Sequence, residues 1–435
     1  VNTFTQLMRR VFGFDYADHT PLPKSTRRGL TYFYWDAVFA LFSDASSANY
    51  VNLFLVSLKA SNTQIGFLAT LVQVLTALAP LPGAAIAERS GRYRMNILAP
   101  AFIARMGWFA LALLPFLPLG PAAVVASIAI FGTRAFMMAW LSAPWTAFVG
   151  RMVPAHVRAS YMATRNFGGG LATIAGTLLA GQVISAFGAP TGYQVVFVMS
   201  GIAGLAAQWM FSRIPFADGV SAKRTPDDGL LKILRGMRTM LREHPQYARI
   251  LLCNCALALA VGIGGPFIQV YQVRELGFAA GAIGLLASIE LATNITMQRV
   301  YGSVVIPRFG ELKVMRVLRP LTSLIPFAWL FATTPAMGIP IVVLAGMLWS
   351  GHELSSFNTL LTITPEDGRA NYIALHMFAV SLSAAIGPAL GGALVDTIGF
   401  FPLFITSAAL RLGAGVLLNI VAARSDSLTA ASHSS

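Results

Sequence analysis

Apolar runs too long for the interior of a soluble domain recur along the whole chain. Twelve can be drawn, near 31–58, 63–87, 95–117, 121–149, 159–187, 193–213, 246–273, 281–306, 313–334, 337–362, 369–398 and 401–423. Each reaches the roughly 20 residues that cross a bilayer core as a helix. Backbone polar groups cannot stay unpaired in lipid, so these runs must be helices or closed barrel strands. Period-two alternation is absent, which argues against a barrel. Composition agrees: 56% of residues are hydrophobic and 11% charged, against about 25% charged in soluble domains. The expected fold class is an all-α membrane protein with twelve transmembrane helices.

The basic residues set an orientation. Connections 116–121, 187–193, 335–337 and 398–401 hold no Lys or Arg, and those after spans one and seven hold Lys59 and Arg274. The opposite side holds Arg9, Arg10, Lys24, Arg27, Arg28, Arg89, Arg92, Arg94, Arg151, Arg158, the 213–249 cluster, Arg308, Lys313, Arg316, Arg319 and Arg369. The positive-inside rule puts that side, with both termini, in the cytoplasm of a cell (inner) membrane. The net charge of +14 is read as this topology signal, and no nucleic-acid partner is expected. Cys253 and Cys255 lie two apart within one span, so neither a disulfide nor a metal site is expected.

The chain also repeats itself. Gly83-Ala-Ala-Ile-Ala-Glu88-Arg89-Ser-Gly91-Arg92-Tyr93-Arg94 aligns with Gly302-Ser-Val-Val-Ile-Pro307-Arg308-Phe-Gly310-Glu311-Leu312-Lys313. Pro154-Ala-His-Val-Arg158-Ala-Ser-Tyr161 aligns with Pro365-Glu-Asp-Gly-Arg369-Ala-Asn-Tyr372. Ile65-Gly66-Phe67-Leu68 aligns with Ile283-Gly284-Leu285-Leu286. Two homologous halves follow, forming two pseudo-symmetric six-helix bundles, 31–213 and 246–423. Segment 1–30 is expected to carry a short interfacial helix. Segment 214–245, polar and then basic and amphipathic, reads as a linker on the cytoplasmic leaflet. Residues 424–435, rich in Ser, Ala and Thr, read as a disordered tail. Internal repeats are how many secondary transporters build alternating access around a midplane site.

Six helices, a basic linker and six more resemble the major facilitator superfamily. The loop between spans two and three resembles that family's signature, with Glu88 at the acidic position and Arg89, Gly91 and Arg92 matching. Gly83 falls one residue early, Tyr93 replaces a base, and Arg94 follows. The loop after span eight is a weaker copy, with Pro307 at the acidic position before Arg308 and Gly310. The resemblance implies a gating role in which Glu88 meets the N-terminal end of the eleventh helix, near Arg369, Ala370 and Asn371. Arg89, Arg92 and Arg94 can alternatively serve topology alone. In Phe131-Gly-Thr-Arg134, Arg134 takes the place of a mid-membrane Arg known in the family, although Met137-Met138 replaces the usual Gln-Gly.

Charges at bilayer depth are costly and normally face a cavity or a partner. The set comprises Asp36 and Asp44 in span one, Arg105 in span three, Arg134 in span four, Glu290 in span eight, His352 and Glu353 in span ten, His376 in span eleven and Arg411 in span twelve. The resemblance implies that spans one, four, seven and ten line the path, which selects Asp44, Arg134 and Glu353. Asp36, Ser43, Ser47 and Tyr50 share one face of span one as a polar stripe. A structural ion pair is the alternative for Asp44, Arg134 and Glu353, and solvation at the interface for Asp36; Arg105 and Arg411 read as structural, and His376 as a hydrogen-bonded helix histidine. A carboxylate in a low-dielectric cavity can carry a proton, because desolvation disfavours its charged form. Arg134 keeps its charge and would anchor an anion or a carboxylate.

These features lead to the expectation of a monomeric secondary active transporter that moves a small molecule by alternating access. Proton coupling would run through Asp44 and Glu353, with Asp36, Glu290 and His352 as further candidates. An exported amphipathic compound is the leading substrate class, and an anionic metabolite taken up onto Arg134 is the alternative. A non-transporting assembly or sensor protein on the same fold is the reading from another class. No nucleotide-binding loop and no hydrolase or metal constellation is present in the sequence, so neither an enzyme nor a cofactor is expected.

Overall fold

A computed structural model describes residues 22–215, 237, 240–365 and 369–433. The interfacial helix expected before residue 22 lies outside them, as does most of the expected linker helix. The described residues contain helices and no strand. Among the described residues, ten helices are long and apolar enough to cross a membrane. The first and ninth expected spans are also helical, but each is broken.

The first half comprises α1 (Lys24–Ala48), α2 (Val51–Ser57), α3 (Asn62–Leu78), α4 (Pro80–Ser90), α5 (Tyr93–Leu113), α6 (Ala122–Trp140), α7 (Ser142–Met152), α8 (Ala155–Phe187) and α9 (Thr191–Ser212). The second comprises α10 (Pro245–Arg274), α11 (Ala280–Val300), α12 (Ile306–Phe309), α13 (Glu311–Leu321), α14 (Leu324–Trp329), α15 (Pro335–Ile363), α16 (Arg369–Ile398) and α17 (Phe400–His433). A π-helical turn, Tyr301–Val305, joins α11 to α12.

Local chemistry sets the boundaries. Pro23, whose carbonyl accepts from Arg27 N–H at 3.0 Å, starts α1 seven residues before the apolar run. Thr334 caps α15 by accepting from Met337 N–H at 3.4 Å. Gly91 ends α4 with φ +65° and Gly310 ends α12 with φ +81°, a conformation glycine adopts without penalty. The ninth span breaks after Pro320, where the Thr322 and Ser323 hydroxyls donate to the Arg319 and Pro320 carbonyls. At the C-terminus the expected disordered tail is replaced by helix: α17 continues to His433. Extending a formed helix costs far less than nucleating one.

The chain divides into two compact units. One holds residues 1–58 and 78–225, and the other holds 59–77 and 226–435. The units therefore depart from the halves of the repeat: Lys59–Ala77, containing almost all of α3, packs with the second half. Small residues bring α3 close to α16. A Cβ on Gly66 would overlap the Pro388 carbonyl, and one on Gly392 would sit 2.6 Å from the Asn62 carbonyl. Thr70 Oγ1 donates to the Ala385 carbonyl at 2.7 Å. The core of the first unit is a cluster of Leu30, Phe33, Phe148, Tyr161 and Phe211, and in the second Tyr247, Leu251, Leu360, Tyr372 and Leu375 cluster.

Candidate functional site: two charged cavities

In the first unit, a cavity of about 300 Å³ is bordered by Asp36, Asp44, Arg105, Arg165, Met138 and Trp145. Asp44, on α1, accepts a charge-assisted hydrogen bond from Arg134, on α6. The Arg134 guanidinium lies 3.7 Å from the Trp108 ring centroid. This cation–π contact and the ion pair together hold a buried cation. Asp36 is 7% exposed. Its carboxylate lies 3.7 Å from Arg165, whose guanidinium covers the Phe33 ring at 4.3 Å. Asp36 is therefore paired within the fold, not solvated at an interface. Sequence reasoning missed Arg165, although its position six residues into the fifth apolar run was a usable signal.

The polar stripe of span one divides in the structure. Ser43 donates to the Ser200 carbonyl at 2.6 Å and Ser46 contacts Ser200 Oγ at 2.9 Å, while Ser47 also bonds Ser200. Tyr50 donates to the Thr177 carbonyl at 2.6 Å. These hydroxyls bind α1 and the turn after it to α8 and α9, so they hold helices together. Arg105 is likewise structural, bonding the Gly204 and Ala101 carbonyls.

The second unit holds the larger cavity, about 660 Å³, a size typical of small-molecule sites. Four helices build it. Gln73 comes from α3, Asn254 and Val261 from α10, Trp349, His352, Glu353 and Phe357 from α15, and His376 and Met377 from α16. The wall is mainly apolar with few polar groups. Glu353 is exposed to this space, and His352 beside it is buried. Among the described residues no cation pairs with Glu353. A smaller cavity of about 200 Å³ contains Glu290, Gln269, Gln272 and Arg411. Arg411 is 2% exposed and donates to the Thr322 carbonyl.

Behind the large cavity lies Arg319, which the charge count had assigned to the cytoplasmic surface. It is completely buried and donates to Asn254 Oδ1. Its place inside the ninth run was legible, but a basic residue near a span end reads equally well as a topology signal.

Two further groups organise the end of α3. The Asp396 carboxylate accepts from Asn62 Nδ2 at 2.8 Å, Thr63 N–H at 2.8 Å and Thr63 Oγ1 at 2.6 Å. Arg274 donates to Asn62 Oδ1 at 2.7 Å and to the Ala60 carbonyl.

In the signature loop, Gly83 packs on the Trp140 backbone so tightly that a Cβ would overlap its carbonyl. Arg89 and Arg92 are exposed, and Arg94 donates to the Ser212 carbonyl. Arg308 stacks beside Phe309, 5.4 Å from its ring centroid. The Glu88 side chain and the side chains of 369–371 lie outside the described residues, and with them the expected gating contact.

The described residues, all-helical and with ten helices long and apolar enough to cross a membrane, define a multi-pass membrane fold. The sequence profile of the Major Facilitator Superfamily matches residues 37–363, and the chain belongs to that family. Two curated relatives match part of it. The aspyridones efflux protein apdF of Emericella nidulans is 29% identical over 170 residues, 37% of this chain and 33% of that protein. The transcription regulatory protein OpdE of Pseudomonas aeruginosa is 26% identical over 287 residues, 63% of this chain and 65% of that protein. The chain thus spans less than two thirds of either relative. Similar solved structures include a mutant of the nucleoside transporter NupG, with TM-score 0.73 and 12% identity, covering 91% of this chain and 99% of that one. A bacterial homologue of the iron transporter ferroportin, inward-facing, has TM-score 0.73 and 14% identity over 91% and 98%. At such identities the likeness concerns the fold.

Proposed function

We propose that this protein is a proton-coupled secondary transporter of an amphipathic small molecule, exporting it across the cell membrane as a monomer with cytoplasmic termini. The observation that carries the reading is Glu353: a carboxylate with no cationic partner among the described residues, on the mainly apolar wall of a cavity of about 660 Å³. A carboxylate there can exchange its proton as the cavity opens and closes. Asp44 is the weaker carrier, because taking a proton means giving up Arg134. The efflux role named for apdF supports the direction. Uptake of an anion onto Arg134 loses support, since Asp44 and Trp108 already occupy that guanidinium. Glu290 and His352 stay in the proposal as neighbours of the path, and the signature loop as its gate.

The test uses purified protein in liposomes loaded with a pH-sensitive dye, under an inward proton gradient, with a panel of amphipathic compounds. Substrate-dependent acidification is expected, and Glu353→Gln should abolish it. Acidification that survives in Glu353→Gln removes Glu353 as the carrier. The regulatory name carried by OpdE favours a second reading, a non-transporting sensor on the same fold. That reading predicts no acidification with any compound and normal biological output in the Asp44→Asn, Glu353→Gln double variant.

A further inference from the structure

Arg319 is a fully buried guanidinium, and only part of its donor set finds an acceptor among the described residues. One nitrogen bonds Asn254 Oδ1 and lies 3.4 Å from Met315 Sδ. Nε and Nη1 are buried without a hydrogen-bond partner among the described residues. No carboxylate pairs with it among the described residues. A cation so placed is costly unless something supplies the negative charge.

Its contact with Asn254 fixes the neighbouring groups. Arginine has no acceptor, so the Asn254 atom it touches is the amide oxygen. The Asn254 NH₂ therefore points the other way, toward His376 Nε2 at 3.5 Å. An imidazole that accepts on Nε2 carries its proton on Nδ1. His376 Nδ1 is buried and has no partner among the described residues, and the same holds for His352 Nδ1. Asn254, His352 and His376 all border the large cavity, and Arg319 lies within electrostatic reach of both imidazoles. Helices α10, α13, α15 and α16 thus bring a positive charge and unpartnered polar nitrogens to a cavity whose remaining wall is mainly apolar and carries Glu353.

We propose that this end of the cavity binds the anionic head of the transported amphipath, a carboxylate in the first instance, through the Asn254 amide and the His376 imidazole. Arg319 acts one residue behind them as the positioning residue and counter-charge. The apolar body of the ligand lies along Val261, Trp349, Phe357 and Met377. The proposal rests on the transporter reading for its role.

The test is equilibrium binding to the purified full chain in detergent, followed by Trp fluorescence, with 4-phenylbutyrate, its amide and the matched amine. The carboxylate should bind at least about tenfold more tightly than the amide, the discrimination expected of a hydrogen bond to a charged group. Asn254→Asp provides the control for folding. It places a carboxylate on Arg319 with no change of volume, so thermal stability should hold or rise while the preference for carboxylate over amide disappears. Arg319→Lys, which keeps the charge but loses the fork, should reduce that preference without abolishing it. Equal binding of acid and amide by the unmodified protein overturns the proposal, as does a carboxylate preference that persists in Asn254→Asp. Because binding is read without a proton gradient, loss of proton coupling with retained head-group selectivity would sink the transport reading alone.

Discussion

At the scale of single residues, the buried charges of this protein are organised by what faces them. Arg134 is held by a carboxylate and an indole, Arg165 by a carboxylate and a phenyl ring, and Arg319 by one amide. Removing one partner of a buried pair leaves an uncompensated charge, a cost of about 3–5 kcal/mol. Asp44→Asn is expected to destabilise the protein by an amount in that range, because it strands the guanidinium. Arg134→Met should cost less, since the Asp44 side chain is 34% exposed and can be hydrated. The double variant should lose less than the two singles together. Thermal unfolding in detergent across the four proteins checks this, and strict additivity would mean that the pair contributes no coupling.

At the scale of elements, α3 is the informative case. Its first turn presents Asn62 and Thr63 to Asp396 of α16, which acts as an N-cap supplied from another helix. Asp396→Ala should lower stability by about 0.5–2 kcal/mol, as loss of a cap does. Asp396→Asn should retain part of that, and the comparison is read by thermal shift. Glycine contacts make a second comparison. Gly66→Leu must push α3 off the Pro388 backbone and should lower the melting temperature sharply. Gly413→Ala meets nothing within 4 Å and should be neutral or stabilising by up to about 1 kcal/mol.

At the scale of the whole molecule, duplication and topology can be separated from packing. The charge asymmetry predicts the sidedness of the loops. In a background without Cys253 and Cys255, an impermeant maleimide should label Ser90→Cys only from the cytoplasmic side of sealed vesicles. Thr333→Cys should be labelled only from the other side. The reverse pattern would invert the proposed orientation. The compact units regroup Lys59–Ala77 with the second half, and this regrouping brings Gln73 and Val72 into the large cavity.

The residues themselves determined the membrane class, the helical spans, the two-fold repeat and the family. Each of these is written locally, in run length, loop charge and short repeated strings. Glu353 and Asp44 were also legible as charges where charge is expensive. Only the tertiary structure decided which charges are paired. Asp36 with Arg165, Arg319 with Asn254, and Asp396 with Asn62 and Thr63 are contacts between helices far apart in sequence. Helical periodicity says that a residue has a face, but not which neighbour meets it. For the same reason the polar stripe of α1 was legible as a face, but its meeting with Ser200 of α9 was not, and Arg319 read as a surface charge and proved to be buried.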